Sequence, residues 1–243
     1  MQVQFVGTGD AFGSGGRLNT CFHVSGDGAN FLIDCGATSL VGLKRCGIDR
    51  NAIDTVLITH FHADHFGGLP FLLMDAQLVA KRPRPLRIIG PPQIAARYQA
   101  ALDVAFPSAE SPKFALTFDE IAPGETLAFG AARVTAFPVI HTEAAGPCLG
   151  YRIENDGKVI SYSGDTEWTD ELIELGGDAD LFICEAYTRE KKVRHHTNLA
   201  ELEAQLPRIA PRRLILTHMS EDMLAHVDAV PFEAASDGLI VTL

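Results

Sequence analysis

The chain predicts an α/β domain with two mixed sheets inside and helices outside, and three observations point that way. Short β-patterned runs open each half, with helix-length stretches between them. No linker or low-complexity stretch divides the halves, so residues 1–243 read as a single domain. With 47% hydrophobic and 21% charged residues, the chain can bury a full core and lacks the composition of a disordered one.

The elements follow in order. Residues 2–6 alternate as a strand and enter a glycine-dense loop, residues 7–16. Glycine there permits unusual backbone angles and close approach to a site. It is no dinucleotide fingerprint, because a strand at residues 21–24, not a helix, comes next. Residues 31–33 form a strand ending at Asp34-Cys35-Gly36, and Leu40, Leu43 and Lys44 mark a short helix stopped by Gly47. The apolar run Thr55-Val56-Leu57-Ile58 reads as a buried strand. Residues 69–79 fit a helix, broken by a basic, proline-rich turn whose cations cap the helix and solvate the turn. Residues 86–89 fit a strand, and Pro91-Pro92 starts a helix to Val104. Short β-runs at hairpin spacing occupy residues 114–137, with turns at Gly124 and Gly130. Asn155-Asp156-Gly157 joins a tight hairpin of residues 151–154 and 159–162. Helices at 169–175 and 199–208 then alternate with strands at 180–184, 213–217 and 239–242.

The stretch that carries chemistry follows the run at 55–58. His60, His62, Asp64 and His65 put three imidazoles and a carboxylate into six residues, ahead of Gly67-Gly68. Zinc and its first-row neighbours prefer such ligands. Residues i and i+2 turn toward one point while i+4 and i+5 reach a second, so the spacing suggests two metals side by side. Further ligands are expected where apolar runs end. His141 ends the run 136–140, Asp165 the run 160–164, and His218 the run 214–217. Loops at strand ends are where a rigid scaffold places functional side chains. The total is seven ligands, the number a two-metal site with one bridging carboxylate needs.

These residues resemble the metallo-β-lactamase-fold hydrolases, over residues from about 7 to 218. The resemblance implies a four-layer αβ/βα sandwich with the metals at one edge. It implies that His60, His62 and His141 hold the first ion, that Asp64, His65 and His218 hold the second, and that Asp165 bridges. Ser163-Gly164-Asp165-Thr166, Cys184-Glu185-Ala186 and the segment from Leu214 to Ser220 look most like the phosphodiesterase branch. That branch includes ribonuclease Z and the small cyclic phosphodiesterase of phosphonate breakdown. Its members carry an additional histidine before the last helix, and His196-Thr197-Asn198 stands in that place. The chain departs from ribonuclease Z in one respect: residues 142–164 are used up by a turn and a hairpin, leaving no room for a tRNA-clamping arm. It also lacks the cysteine cluster that holds an additional structural zinc in the small cyclic phosphodiesterase.

Two metals about 3.5–4 Å apart share a water and lower its pKa toward neutrality. The expected reaction is in-line attack of that bridging hydroxide on phosphorus, with Asp64 as both ligand and orienter of the nucleophile's proton. His196 is the expected general acid, or a donor to a phosphoryl oxygen, with Glu185 holding its tautomer. Zinc is the expected metal, and the same ligands accept manganese or iron. Arg17 and Asn19 are candidates to reach an anionic substrate. His23 and His226 read as core or surface residues and Trp168 as packing.

The formal charge of −11 argues against a broad nucleic-acid footprint, so the expected substrate is a small or cyclic phosphodiester. An ester, thioester or lactone hydrolase on the same metals is the alternative, and a ribonuclease Z-like endoribonuclease another. A carrier on a retained scaffold would be expected to have lost at least one ligand, and all seven stand. The five cysteines, odd in number and without a Cys-x-x-Cys, read as reduced and buried. With no signal-peptide pattern and no membrane span, a cytoplasmic protein is expected. The sequence does not give the oligomeric state; dimers are common in this branch, and that is the one support for a homodimer.

Overall fold

The structure, a computed structural model, describes every residue except Asp27. The first part of the chain runs β1 (Gln2–Gly7), β2 (Cys21–Gly26), β3 (Ala29–Ile33), α1 (Ser39–Arg45), β4 (Thr55–Leu57), α2 (Ala63–Phe66), α3 (Leu69–Leu78), β5 (Leu86–Gly90), α4 (Ile94–Ala105) and β6 (Leu116–Glu120). The second part runs β7 (Thr126–Phe129), β8 (Ala132–Pro138), β9 (Leu149–Asn155), β10 (Lys158–Tyr162), α5 (Glu171–Gly176), β11 (Leu181–Glu185), α6 (Leu199–Ile209), β12 (Leu214–Thr217), α7 (Glu221–Leu224), β13 (Glu233–Ala234) and β14 (Ile240–Thr242).

Two seven-stranded sheets result, ordered β14-β1-β2-β3-β4-β5-β6 and β13-β12-β11-β10-β9-β8-β7. Both are mixed: β3, β4, β5 and β6 pair in parallel, as do β10, β11, β12 and β13, while the remaining pairs are antiparallel. The strands alternate between two cores. In β3, Phe31 and Ile33 face the layer between the sheets while Leu32 faces the outer layer with α1, α3 and α4. In β11, Leu181 and Ile183 point inward while Phe182 and Cys184 pack outward with α5 and α6. Strands covered on both faces need apolar residues at every position, and so they read as continuous runs. The architecture is the four-layer αβ/βα sandwich of the metallo-β-lactamase fold. No described helix is long and apolar enough to cross a membrane.

Some local expectations are corrected. Pro91-Pro92 makes a turn, not the first turn of α4, because Gln93 is left-handed (φ 78°) and Ile94 N–H bonds Pro91 O. The basic turn is more than a solvated one. The Arg82 guanidinium is buried and donates to the carbonyls of Arg50, Ile53, Arg84 and Pro85, stitching the α3–β5 connection to the chain before β4.

The two sheets are tied beside the His60 stretch. Tyr151 Oη, fully buried on β9, donates to Ile58 O at 2.6 Å, and Leu149 N–H donates to Thr59 O. Removing one partner of a buried bond leaves the other unsatisfied. Tyr151→Phe is therefore expected to lower unfolding free energy by about 1–3 kcal/mol, read as an earlier urea midpoint at unchanged m-value.

Candidate metal centre

Strand direction brings the ligand-type residues together. β3 and β4 run parallel, and β8 runs in the same sense as the parallel trio β10, β11 and β12, so their carboxyl ends share one edge. Asp34, His60, His141, Asp165, Glu185 and His218 all lie at or just beyond those ends. Asp64 and His65 ride on the short helix α2. That helix packs closely on the turn after β3: a Cβ on Gly36 would stand 2.0 Å from Asp64 O.

Two donor sets meet at Asp165. In the first, His62 Nδ1 lies 3.2 Å from His60 Nε2 and 3.0 Å from His141 Nε2. Asp165 Oδ2 is 4.0 Å from each of those two Nε2 atoms. In the second, His65 Nε2 lies 3.2 Å from both Asp64 Oδ2 and Asp165 Oδ1, and His218 Nε2 is 3.1 Å from Asp165 Oδ2. The atoms within each set lie within 4.8 Å of one another.

Neighbouring groups aim the ligand atoms inward. His65 Nδ1 donates to the buried Asp34 Oδ2 at 2.7 Å, and His141 Nδ1 donates to His195 O at 2.8 Å. Each bond engages Nδ1 and leaves Nε2 directed at the cluster. Thr59 Oγ1 lies 3.1 Å from His60 Nδ1, on the side away from the other ligands. Asp34 itself accepts from the Thr59 N–H and hydroxyl.

The residues fit divalent cation binding. His65 Nε2 and Asp165 Oδ1 are buried without a hydrogen-bond partner, an arrangement native proteins rarely leave unexplained. Three imidazole nitrogens converging on one point repel unless a cation sits among them. Imidazole and carboxylate donors suit zinc and its neighbours.

The electrostatics of the two sets differ. Burial, reinforced by His65, holds His60 well below the ordinary histidine value. Burial also lowers His62, and brings His141 down to about 4 against the pull of Asp165. Burial opposes the charged form of His65 as well, but the carboxylates of Asp165, Asp64 and Asp34 outweigh it and hold it well above that value. In His218 the same contest ends at about 9, with Asp165 the main opponent of burial.

Beside both sets, the buried Glu185 Oε2 lies 2.9 Å from His196 Nδ1. Glu185 Oε1 accepts the N–H groups of Thr166 and Thr197 at 2.6 and 3.1 Å. The Tyr187 ring stacks on His196 at 4.4 Å between centroids. Burial lowers the His196 pKa, but the bond and charge of Glu185 prevail and raise it. His62, Asp64, Asp165, Tyr187, His196 and His218 face a cavity of about 390 Å³, within the size range of small-molecule sites.

A family model described as Anti-Pycsar protein Apyc1 matches residues 1–234. The chain belongs to that family. It is 27% identical over 284 aligned residues to a ribonuclease Z of Agathobacter rectalis, covering 95% of this chain and 91% of the relative. Among solved structures, YhfI of Bacillus subtilis, a metallo-β-lactamase fold protein, superposes with a TM-score of 0.82 at 21% identity, covering 99% of both chains. A diphosphatase of the PhnP family superposes with a TM-score of 0.79 at 20% identity, covering 100% of this chain and 97% of the other. At these identities the two structures establish the fold.

All the residues singled out as ligands in the sequence converge on this edge, with His196 and Glu185 beside them. Asp34, Glu167 and Tyr187 were not singled out. Asp34 ends an apolar run as His141 and Asp165 do, and that shared feature would have found it. Glu167 Oε1 accepts the His195 N–H at 2.6 Å and the Glu167 N–H bonds Ile140 O, which ties three ligand loops together. That role depends on loop paths that no local pattern encodes.

Arg17 and Asn19 do not reach the cavity as anion binders. Arg17 Nη1 donates to Ala235 O, and Asn19 Nδ2 donates to Asp10 O, so both brace the glycine loop. Trp168 packs against the outer core of the second sheet. His23 bonds Asn30, and His226 bonds Asp222 O.

A pH asymmetry follows. Metal displaces protons from its ligands. Burial pushes His60, His62 and His141 toward the neutral form, whereas the neighbouring carboxylates pull His65 and His218 toward the protonated one. If each set takes up an ion, calorimetric titration in buffers of different ionisation enthalpy should show more proton release at the Asp64–His65–His218 set than at the His60–His62–His141 set. Affinity of the former should fall as pH drops from 8 to 6.

Proposed function

We propose that this chain is a two-metal hydrolase that cleaves a small or cyclic phosphodiester. The observation that carries the reading is the His196–Glu185 pair, an imidazole held at 2.9 Å by a buried carboxylate and facing the same cavity as both donor sets. His60, His62 and His141 would hold one ion and Asp64, His65 and His218 the other, with Asp165 between them. Zinc is the first choice of metal, and manganese or iron suit the same donors. When bound, such ions supply Lewis acidity and a water acidified toward neutral pH.

The chain's own residues do the rest. Asp64 sits where a carboxylate can orient the attacking water as well as ligate. His196, kept protonated by Glu185, donates to the leaving oxygen. Glu185 fixes the donor's ring by its bond to Nδ1, leaving Nε2 for the substrate.

A ribonuclease Z-like endonuclease is the second reading, favoured by the ribonuclease Z relatives. Against it stands the path between His141 and Asp165, taken up by the turn Glu143–Ala145 and the β9–β10 hairpin. The formal charge of −11 adds to that. Ester, thioester or lactone hydrolysis uses the same metals but gives His196 less to do, since leaving groups there depart more readily. The five unpaired cysteines support a reducing, cytoplasmic setting.

The decisive assay is turnover of metal-reconstituted protein on bis(p-nitrophenyl) phosphate beside a lactone and a thioester, with metal content read in the same sample. Diester cleavage is the expected outcome. Full metal loading with lactone or thioester turnover alone would sink the phosphodiesterase reading. On an alkyl phosphodiester, whose poor leaving group needs the proton, His196→Ala should lower kcat by about 10²–10⁴ at unchanged metal content. Because Glu185 raises the His196 pKa, Glu185→Gln should move the alkaline limb of kcat/KM to lower pH. An unmoved limb would assign that limb to another group.

A further inference from the structure

One residue outside the ligand set holds the His141 ring from both ends. The Glu167 backbone N–H donates to Ile140 O at 2.8 Å, and the Ile140 N–H donates to Thr166 Oγ1 at 3.0 Å. These bonds fix the backbone from which His141 projects. At the far end of the ring, His141 Nδ1 donates to His195 O at 2.8 Å, and the Glu167 carboxylate holds His195 in turn, accepting its N–H at 2.6 Å. The same carboxylate stands 3.7 Å from His195 Nδ1, beyond hydrogen-bond range. It therefore acts on the His195 backbone and not on the imidazole.

That backbone needs holding. His195 is the third residue of the turn Val193–His196, which the His196 N–H closes on Val193 O at 3.2 Å, and its φ is 71°. Glycine adopts such an angle freely at that place in a turn. Histidine adopts it only where its surroundings impose it, and the acceptor that imposes it here is the Glu167 carboxylate. A His195 released from that bond can leave the left-handed conformation, and its carbonyl then no longer faces His141.

We infer that Glu167 is a positioning residue, whose carboxylate sets the direction of the His141 ring through the backbone of His195. The inference rests on the reading of His60, His62 and His141 as metal ligands and is independent of which ester the protein cleaves. Glu167 acts at the rim of the site, where its side chain is 41% exposed, so the carboxylate can be removed without opening the core.

The test compares wild type, Glu167→Ala and Glu167→Gln, the last of which keeps an acceptor oxygen. In the metal-free protein a hydrogen-bonded imidazole N–H gives a downfield proton resonance, and the one lost in His141→Ala belongs to His141. That signal should persist in Glu167→Gln and vanish into solvent exchange in Glu167→Ala. Competition with a chelator should show zinc affinity about 10–100-fold lower in Glu167→Ala, the range for groups that orient a ligating histidine, and largely recovered in Glu167→Gln. Glycine at position 195 needs no help to hold its angle, so Glu167→Ala should cost less zinc affinity in a His195→Gly background than in wild type. A His141 signal and a zinc affinity unchanged in Glu167→Ala overturn the inference, even if that variant melts earlier. Equal losses in Glu167→Ala and Glu167→Gln overturn it too, because they assign the effect to charge and not to the acceptor. The expected pattern in a protein that cleaves no diester would keep the inference and sink the phosphodiesterase reading.

Discussion

The Asp165 carboxylate faces two groups of imidazoles at once, and much of the molecule is arranged to let it. Its Oδ2 is 4.0 Å from His60 and His141 and 3.1 Å from His218, while Oδ1 is 3.2 Å from His65. Those partners come from both sheets, so the sandwich must close with the carboxyl ends of both sets of strands at one edge. The turns that leave those strands are abrupt. Asp34 and His218 are left-handed at φ 60° and 55°, a conformation non-glycine residues adopt only at a cost. Gly164, at φ 62°, passes so near Leu149 O that a Cβ would stand 2.6 Å from it. Packing of the sandwich supports these turns, and in return they aim each ligand across the edge.

A second layer of contacts fixes the direction in which the clustered histidines point. Asp34 and the His195 carbonyl engage Nδ1 of His65 and His141 and leave Nε2 directed at the cluster. His195 is itself left-handed, at φ 71°, with its N–H on Glu167. Glu185 couples two of these loops. One carboxylate holds the backbone after Asp165, the backbone after His196 and the His196 ring. A shift of Asp165 is thereby passed to the His196 ring through one residue.

What was legible in the sequence was what local pattern encodes. Four ligand-type residues within 60–65 declare themselves by density, and the apolar runs before His141, Asp165 and His218 mark strand ends. The same runs reveal the two-faced burial of β3, β4 and β11, and with it the layered fold. Contacts set by distant chain were not legible. Arg17 looked like a free cation until β13 brought Ala235 O to it. Arg82 looked like a turn residue until four carbonyls closed around it. Family membership sharpened the motif-level likeness to the phosphodiesterase branch, because the match spans residues 1–234 and not the ligands alone.

The lip of the cleft depends on the far end of the domain. Asp237 accepts the Thr8 N–H, the Thr8 hydroxyl and the Leu18 N–H, across as many as 229 residues of sequence. β14 then pairs with β1 at Gln2–Thr242, Val3–Val241 and Gln4–Ile240. During vectorial synthesis the glycine loop emerges first and its clasp last. The first sheet can collapse early on its own helices, but the rim of the cleft waits for the final strand. A nascent chain thus exposes the histidines of residues 60–65 well before Asp165 and His218 are made and before the cleft has a shaped rim.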